Sequence, residues 1–384
     1  PGNITLLGEE FDEIYLNKVH TLSLSPESVG KFHDMKIAYT PLHGAGVRLV
    51  PASLRKWGFT NVSLVEEQAV IDGNFPTVES PNPEERKTMA KAIELGSRLG
   101  ADLVLATDPD SDRIGVALRN AKGEYVLLNG NQTLSLIMAY QLTRWSELGR
   151  LDGKEFVVKT IVTSQMPNVM AAHFGVKCYD CLTGFKYIAR IIRNNEGKAT
   201  YIGGGEESFG YLAGDFVRDK DAVSACSLVA EAAAWTRDTM GLTLYEWLQK
   251  LYVEFGFFRE GLVSVVRKGM EGAAEIQRMM VDYRADPPRE IAGSPVVKIN
   301  DFKLLESTDV RTGAKTPIEE EASNVLQWFA ADGTVVSVRP SGTEPKIKFY
   351  FGVRAELESV ADFDRVEAGL DAKIETIKKE LKLV

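Results

Sequence analysis

Leu103-Val104-Leu105-Ala106-Thr107-Asp108-Pro109-Asp110-Ser111-Asp112-Arg113 is an apolar run that breaks into three carboxylates within five residues. Leu103 to Thr107 reads as a buried strand, and the loop behind it lies where ligands bind in α/β sheets, at a strand's carboxyl end. Three carboxylates so close repel one another unless a cation sits between them. Alternate residues of an extended turn point the same way, so Asp108, Asp110 and Asp112 can converge on one ion. All-oxygen donors favour Mg²⁺, Ca²⁺ or Mn²⁺ over zinc. Arg113 would neutralise residual charge or meet a phosphate. The plain alternative is a solvated acidic turn. An EF-hand loop fails, because Arg113 and Arg119 stand where it needs Gly and Glu.

Outward from this loop, strand-like and helix-like segments alternate. Strands are expected at 36–40, 62–65, 102–106, 113–118, 155–159 and 199–202. Helices are expected at 46–57, 82–99, 130–145, 167–174, 184–192, 222–240 and 244–254. The alternation predicts α/β units around mixed or parallel sheets. From residue 261 the pattern changes to strands at 261–267, 296–299, 324–329, 334–338 and 347–353, with helices at 270–283 and 357–381, an α+β arrangement. The expected fold is two mixed-sheet α/β domains followed by an α+β domain, divided as 1–123, 124–257 and 258–384. The first two read as a distant repeat, each ending a strand in an acidic loop.

The chain has 384 residues, 44% hydrophobic and 26% charged, with a formal net charge of −9. That length needs more than one core. The charge argues against nucleic acid and anionic membranes as partners. There is no apolar run of membrane-spanning length and no signal-peptide pattern. The three cysteines, an odd and sparse set, suit a reducing compartment, the cytoplasm. Cys178-Tyr179-Asp180-Cys181 lacks the second pair that zinc would need, and His43 reads as structural.

Two further loops carry chemistry. Gly203-Gly204-Gly205-Glu206-Glu207-Ser208-Phe209-Gly210 sets Glu206 and Ser208, groups suited to sugar hydroxyls, among glycines that allow close backbone approach. Arg339-Pro340-Ser341-Gly342-Thr343-Glu344-Pro345-Lys346 follows a strand and gathers phosphate donors around Gly342, which permits an anion nest. Each alone also reads as an ordinary turn.

In this order, Asp-x-Asp-x-Asp-Arg, Gly-Glu-Glu-Ser-Phe-Gly and Arg-Pro-Ser-Gly-Thr-Glu-Pro-Lys resemble the α-D-phosphohexomutases (phosphoglucomutase/phosphomannomutase). Thr40-Pro41-Leu42-His43-Gly44-Ala45-Gly46, Ser80-Pro81-Asn82-Pro83-Glu84-Glu85 and Thr183-Gly184-Phe185-Lys186 extend the resemblance over nearly the whole chain. It implies Mg²⁺ on Asp108, Asp110 and Asp112, with Arg113 beside them as a catalytic arginine. It also implies sugar contacts from Glu206 and Ser208, and a phosphate site from Arg339, Ser341, Gly342 and Thr343, with Lys346 as a further contact. Lys159 matches a phosphate-binding lysine of some members, and Lys186 follows the Thr-Gly turn toward the cleft. Phe185 stands where mannose-type members carry His.

The family's phosphoserine motif of Thr-Ala-Ser-His-Asn-Pro type is not in this sequence; Ser80 precedes a helix start and is not read as that serine. The chain therefore looks like domains two to four of a mutase. The implied chemistry is Mg²⁺-dependent phosphoryl transfer on a hexose phosphate, glucose 1-phosphate/glucose 6-phosphate first and mannose phosphate second. It passes through a sugar bisphosphate, and this chain alone binds without turning over. Three alternatives stand beside it: a phosphopentomutase, a haloacid-dehalogenase-type phosphatase with Asp108 as nucleophile, and a non-catalytic phosphosugar-binding protein.

Overall fold

Hydrophobic strands with both faces covered build the first sheet. The order is β2 (Val62–Leu64), β1 (Ile37–Thr40), β3 (Leu103–Thr107), β4 (Ile114–Arg119) and β5 (Tyr125–Leu127). The pairs β1–β2 and β1–β3 are parallel, whereas β3–β4 and β4–β5 are antiparallel. Every residue of β1 and β3 is buried, as a central strand between two helical layers requires. The second sheet runs β7 (Lys177–Cys181), β6 (Glu155–Thr160), β8 (Thr200–Gly205), β9 (Tyr211–Ala213). It repeats the first: two parallel pairs, then an antiparallel one. The expected repeat is thus visible in the topology, and the two acidic loops are its equivalent hairpin connections, β3 to β4 and β8 to β9.

The structure is a computed structural model that describes residues 3–5, 7–267, 269–342 and 344–383. The chain divides into two compact units, Pro1–Thr163 with Pro167–Leu248, and Ser164–Met166 with Gln249–Val384. Both sheets above belong to the first.

The helices of the first unit are α1 (Glu9–His20), α2 (Pro26–Lys31), α3 (Gly46–Trp57), α4 (Ala90–Leu99), α5 (Gly130–Glu147), α6 (Met166–His173), α7 (Phe185–Asn195) and α8 (Ala222–Met240). On one face of the first sheet α4 buries Ala92 and Leu95 against Val104 and Ala106. On α7, Ile188 and Ile192 pack against Phe156 and Val158 of β6. A helix apolar all round belongs in an interior, and α8 is buried from Ala222 to Thr236. It packs on α2 and α3, and Ser53 and Ser227 hydrogen bond at 2.7 Å between α3 and α8. Its Glu231 is fully buried and fully used. It accepts from Ser23 Oγ, from the amides of Leu24 and Ser25, and from Tyr140 Oη.

Apart from Ser164–Met166, the second unit starts within α9 (Leu244–Phe255). Its strands are β10 (Phe257–Val266), β11 (Glu290–Ile291), β12 (Ser294–Asp301), β13 (Glu306–Asp309), β14 (Lys315–Pro317), β15 (Leu326–Ala330), β16 (Val335–Pro340) and β17 (Lys346–Ala355). They form an antiparallel sheet in the order β10-β17-β16-β15-β12-β13-β14, with β11 paired to β12. Its helices are α10 (Gly269–Ala285) and α11 (Phe363–Glu380). Tyr283 of α10 meets Trp328 and Phe349 edge-on, and Phe257 stacks on Phe363 of α11.

Some expectations change. The helix expected from Asn82 starts only at Ala90, and residues 82–89 form turns instead. Pro83 lies against Gly115, and Glu84 sits 3.6 Å from Arg113, so tertiary contacts override a good helix-start signal. The last helix begins at Phe363, not 357, behind a single turn at Val360–Asp362. Among the described residues no helix is long and apolar enough to cross a membrane.

Candidate active site

Strand β3 delivers Asp108 at the sheet's carboxyl edge, and the loop then folds on itself. The amides of Asp112 and Arg113 both donate to Asp108 Oδ1 at 3.0 Å, and Ser111 N donates to Asp108 O at 3.0 Å. Ser111 takes a left-handed conformation, φ 60°, which costs a non-glycine residue energy and persists only where surroundings enforce it. One carboxylate oxygen from each of Asp108, Asp110 and Asp112 lies within 4.8 Å of the others. Burial pushes the Asp108 carboxyl up to about 7, and the charges of Asp112 and Asp110 push the same way. Asp112 Oδ1 and Ser111 Oγ are buried with no hydrogen-bond partner among the described residues. This all-oxygen cluster, holding an orphaned oxygen, fits a hard divalent ion. Arg113 lies 3.7 Å from Asp108 and 3.8 Å from Asp112, too far for hydrogen bonds.

The Leu42–Gly46 turn braces this loop from behind. A Cβ on Gly44 would lie 2.3 Å from Pro109 Cα, and Ala45 N donates to Pro109 O at 2.8 Å. Buried His43 is structural, as expected: its ring nitrogens meet Val70 O at 2.9 Å and Thr77 Oγ1 at 2.8 Å.

The equivalent loop between β8 and β9 joins the acidic one through backbone. Arg113 and Gly210 form an antiparallel bridge, and Ile114 N donates to Phe209 O at 3.0 Å. Glu206 Oε1 accepts from Gly184 N at 2.9 Å, which ties the Thr183-Gly184 turn to this loop. Ser208 Oγ approaches Glu206 Oε2 at 3.5 Å. Glu207 is held by Thr160 and Thr163. The glycines play a different part from the expected one. Gly203, Gly204 and Gly205 are buried within β8, and a Cβ on Gly204 would lie 2.1 Å from Val158 O. They permit close packing of the sheet, not approach to a ligand.

Lys159 is fully buried; its ammonium pairs with Asp180 at 2.9 Å and lies 3.4 Å from the carbonyls of Thr160 and Thr163. The structure thus gives it an internal partner. Lys186 is exposed, with its ammonium 4.8 Å from the ring centroid of Tyr187. A cation that sequence reasoning missed is Lys220. Its ammonium lies 2.9 Å from Asp112 Oδ2 and 3.0 Å from Asp219 Oδ1. The charged run Arg218-Asp219-Lys220-Asp221, next to a helix start, was the available signal.

In the second unit, β16 and β17 form a hairpin in which Arg339 pairs with Lys348. Strand alternation turns Val338, Ile347 and Phe349 to the core and sets Arg339, Lys346 and Lys348 on the other face. The loop is closed by its own bonds: Ser341 N to Lys346 O at 2.8 Å, Lys346 N to Glu344 O at 2.7 Å, and Glu344 N to Ser341 Oγ at 3.3 Å. Those three amides therefore do not form the expected open nest. The Lys346 ammonium pairs with Glu344, and Gly342 is exposed. Thr343 lies outside the described residues.

Burial pushes the Cys178 thiol up to about 12, and Cys181 and Cys226 are buried free thiols. Thiolate is the reactive form. Native protein treated with iodoacetamide at pH 8 is expected to stay unlabelled at all three, with full labelling in denaturant. Rapid native labelling of Cys178 by mass spectrometry would contradict this.

The sequence matches "Phosphoglucomutase/phosphomannomutase, alpha/beta/alpha domain II" over residues 13–123, "alpha/beta/alpha domain III" over 129–255, and "C-terminal domain" over 297–370. The chain belongs to the phosphoglucomutase/phosphomannomutase family. It is 36% identical over 341 residues to a phosphoglucomutase of Staphylococcus aureus (strain MRSA252), covering 89% of this chain and 60% of that protein. The chain thus spans well under two thirds of that relative's length. Among solved structures it is similar to parafusin (pp63), a phosphoglucomutase from Paramecium, in an open form, with TM-score 0.62 and 15% identity over 97% of this chain and 62% of that one. It is also similar to a phosphoglucomutase/phosphomannomutase family protein from Burkholderia thailandensis, with TM-score 0.58 and 17% identity over 94% and 65%. At these identities the two structures speak for the fold.

Proposed function

We propose that this chain is the metal-, sugar- and phosphate-binding part of an isomerase that moves a phosphoryl group between two hydroxyls of a hexose phosphate. The glucose 1-phosphate/glucose 6-phosphate pair comes first, with mannose phosphate as a further substrate. The observation that carries this reading is the junction of the two loops: three convergent carboxylates bridged through Arg113 and Gly210 to the Glu206–Ser208 loop. In this reading the family's domains occupy 1–123, 124–257 and 258–384, the phosphoryl-carrying serine lies outside these residues, and the protein works in the cytoplasm.

Asp108, Asp110 and Asp112 would hold Mg²⁺, whose charge neutralises phosphoryl oxygens during transfer. Arg113 and Lys220 add positive charge at the same edge. Glu206 and Ser208 orient the sugar through its hydroxyls, with Lys186 at the neighbouring turn. Arg339, Ser341, Gly342, Thr343 and Lys346 bind the phosphate that is not reacting, and accept either end of the bisphosphate intermediate. Lys159, engaged by Asp180, fixes the floor beneath the Glu207 anchor.

Calorimetric titration of the 384-residue chain tests this. Mg²⁺ should bind saturably, and glucose 6-phosphate and glucose 1,6-bisphosphate should bind in its presence. A coupled assay on the same chain should show no interconversion of glucose 1-phosphate and glucose 6-phosphate. No binding of any hexose phosphate would overturn the reading, preference for a pentose phosphate would move it to the pentose alternative, and turnover would remove the external serine.

A further inference from the structure

Asp221 caps α8, accepting from the amides of Val223 and Ser224 at 3.1 and 3.3 Å through Oδ1. The same oxygen accepts from Tyr15 Oη at 2.6 Å, across 206 residues of sequence. Asp221 is 6% exposed, and its Oδ2 is buried with no hydrogen-bond partner among the described residues. A buried carboxylate with one oxygen unsatisfied depends strongly on the donors it keeps. The residues on either side of Asp221 touch the acidic loop. Lys220 pairs with Asp112, and Ala222 N donates to Ser111 O at 3.1 Å. Ser111 is the strained residue of that loop, and strain of this kind is maintained by the groups around it.

We infer that Tyr15, on α1, is a positioning residue for the metal site. Its hydroxyl locks Asp221, Asp221 fixes the first turn of α8, and that turn holds Ser111 and Asp112 where three carboxylates converge. This rests on the metal-binding reading above. Loss of the Tyr15 hydroxyl leaves every ligand in place but frees the segment that braces them. Groups hydrogen-bonded directly to metal ligands commonly change affinity by roughly 10- to 100-fold, and Tyr15, one link further out, is expected at the low end.

The molecule offers a matched control. Tyr140 Oη donates at 2.8 Å to Glu231, another buried carboxylate of α8, two to three turns further along the helix from the acidic loop. Tyr15→Phe and Tyr140→Phe therefore delete the same atom from the same kind of pair on the same helix. Mn²⁺ affinity, read by electron paramagnetic resonance on the full chain, is expected to fall about 10-fold in Tyr15→Phe and to stay at the wild-type value in Tyr140→Phe, although both melt earlier. Wild-type affinity in Tyr15→Phe overturns the inference alone. So does an equal loss in Tyr140→Phe, which would mark general destabilisation. Absence of Mn²⁺ binding in the wild type overturns the metal reading itself, and the inference with it.

Discussion

Asp108→Asn is expected to abolish tight divalent-metal binding while leaving the acidic loop folded. The amides of Asp112 and Arg113 donate to Asp108 Oδ1, and an asparagine oxygen can accept both. The substitution therefore removes a charge and not the loop's scaffold. Hard cations depend on the number of charged ligands, so Mn²⁺ or Mg²⁺ affinity should fall about 100-fold or more, a change of about 2.7 kcal/mol. Thermal stability should move the other way. Without metal, three carboxylates within 4.8 Å repel one another, and removing one relieves the repulsion. The metal-free variant should melt at or above the wild-type temperature, and added metal should no longer raise it. Calorimetry and thermal melts with and without Mg²⁺ measure both. Retained affinity would mean that the ion binds without Asp108.

Gly130→Ala is expected to destabilise the chain by roughly 3 kcal/mol, against the ordinary rule for helices. Gly130 is the first residue of α5, behind an Asn129–Gln132 capping box that the substitution leaves intact. Propensity alone predicts that alanine gains about 1 kcal/mol there. Geometry decides otherwise, because the new Cβ would lie 1.9 Å from Glu207 O and 2.7 Å from Phe209 N. Both are backbone atoms, and Phe209 is already held at a φ of 67°. The Glu206–Ser208 loop must shift, so hexose-phosphate affinity should fall together with the denaturation midpoint. A gain in stability would show that the loop yields at little cost.

The acidic loop was legible in sequence because its signal is local: an apolar strand, then carboxylates at alternate positions. The division between mixed α/β sheets and a final α+β sheet was legible for the same reason, since hydrophobic period changes along the chain. Other elements carry no such signal. Helix α1 buries only Leu16 and Val19 and leaves Phe11 and Ile14 exposed, so its periodicity is faint. Strands β13 and β14 are partly or fully exposed and charged, without an apolar alternation to reveal them. The roles of Lys220, Tyr15 and the glycines of β8 depend on partners far away in sequence. A lysine looks the same on paper whether it meets solvent or an acidic loop. Lys159 shows the reverse problem: the resemblance assigns it to phosphate, whereas folding surrounds it with Asp180 and two carbonyls.

The interlocking of α8 with the first sheet's helices bears on how such proteins can be recombined. Helix α8 comes from the second matched region, yet it is bonded to the first through Ser53, through Lys31 to Asp238, and through Arg237 to Asp102 at 2.7 Å. Glu231 gathers residues 23–25, and the Arg113–Gly210 bridge stitches the two hairpins. A chimera joined between Leu128 and Asn129, the natural seam in an alignment, would pair two halves that had never co-adapted across their shared interior. What matches as two sequence modules is one physical object, so replacing one of them alone would require the shared interior to be repacked.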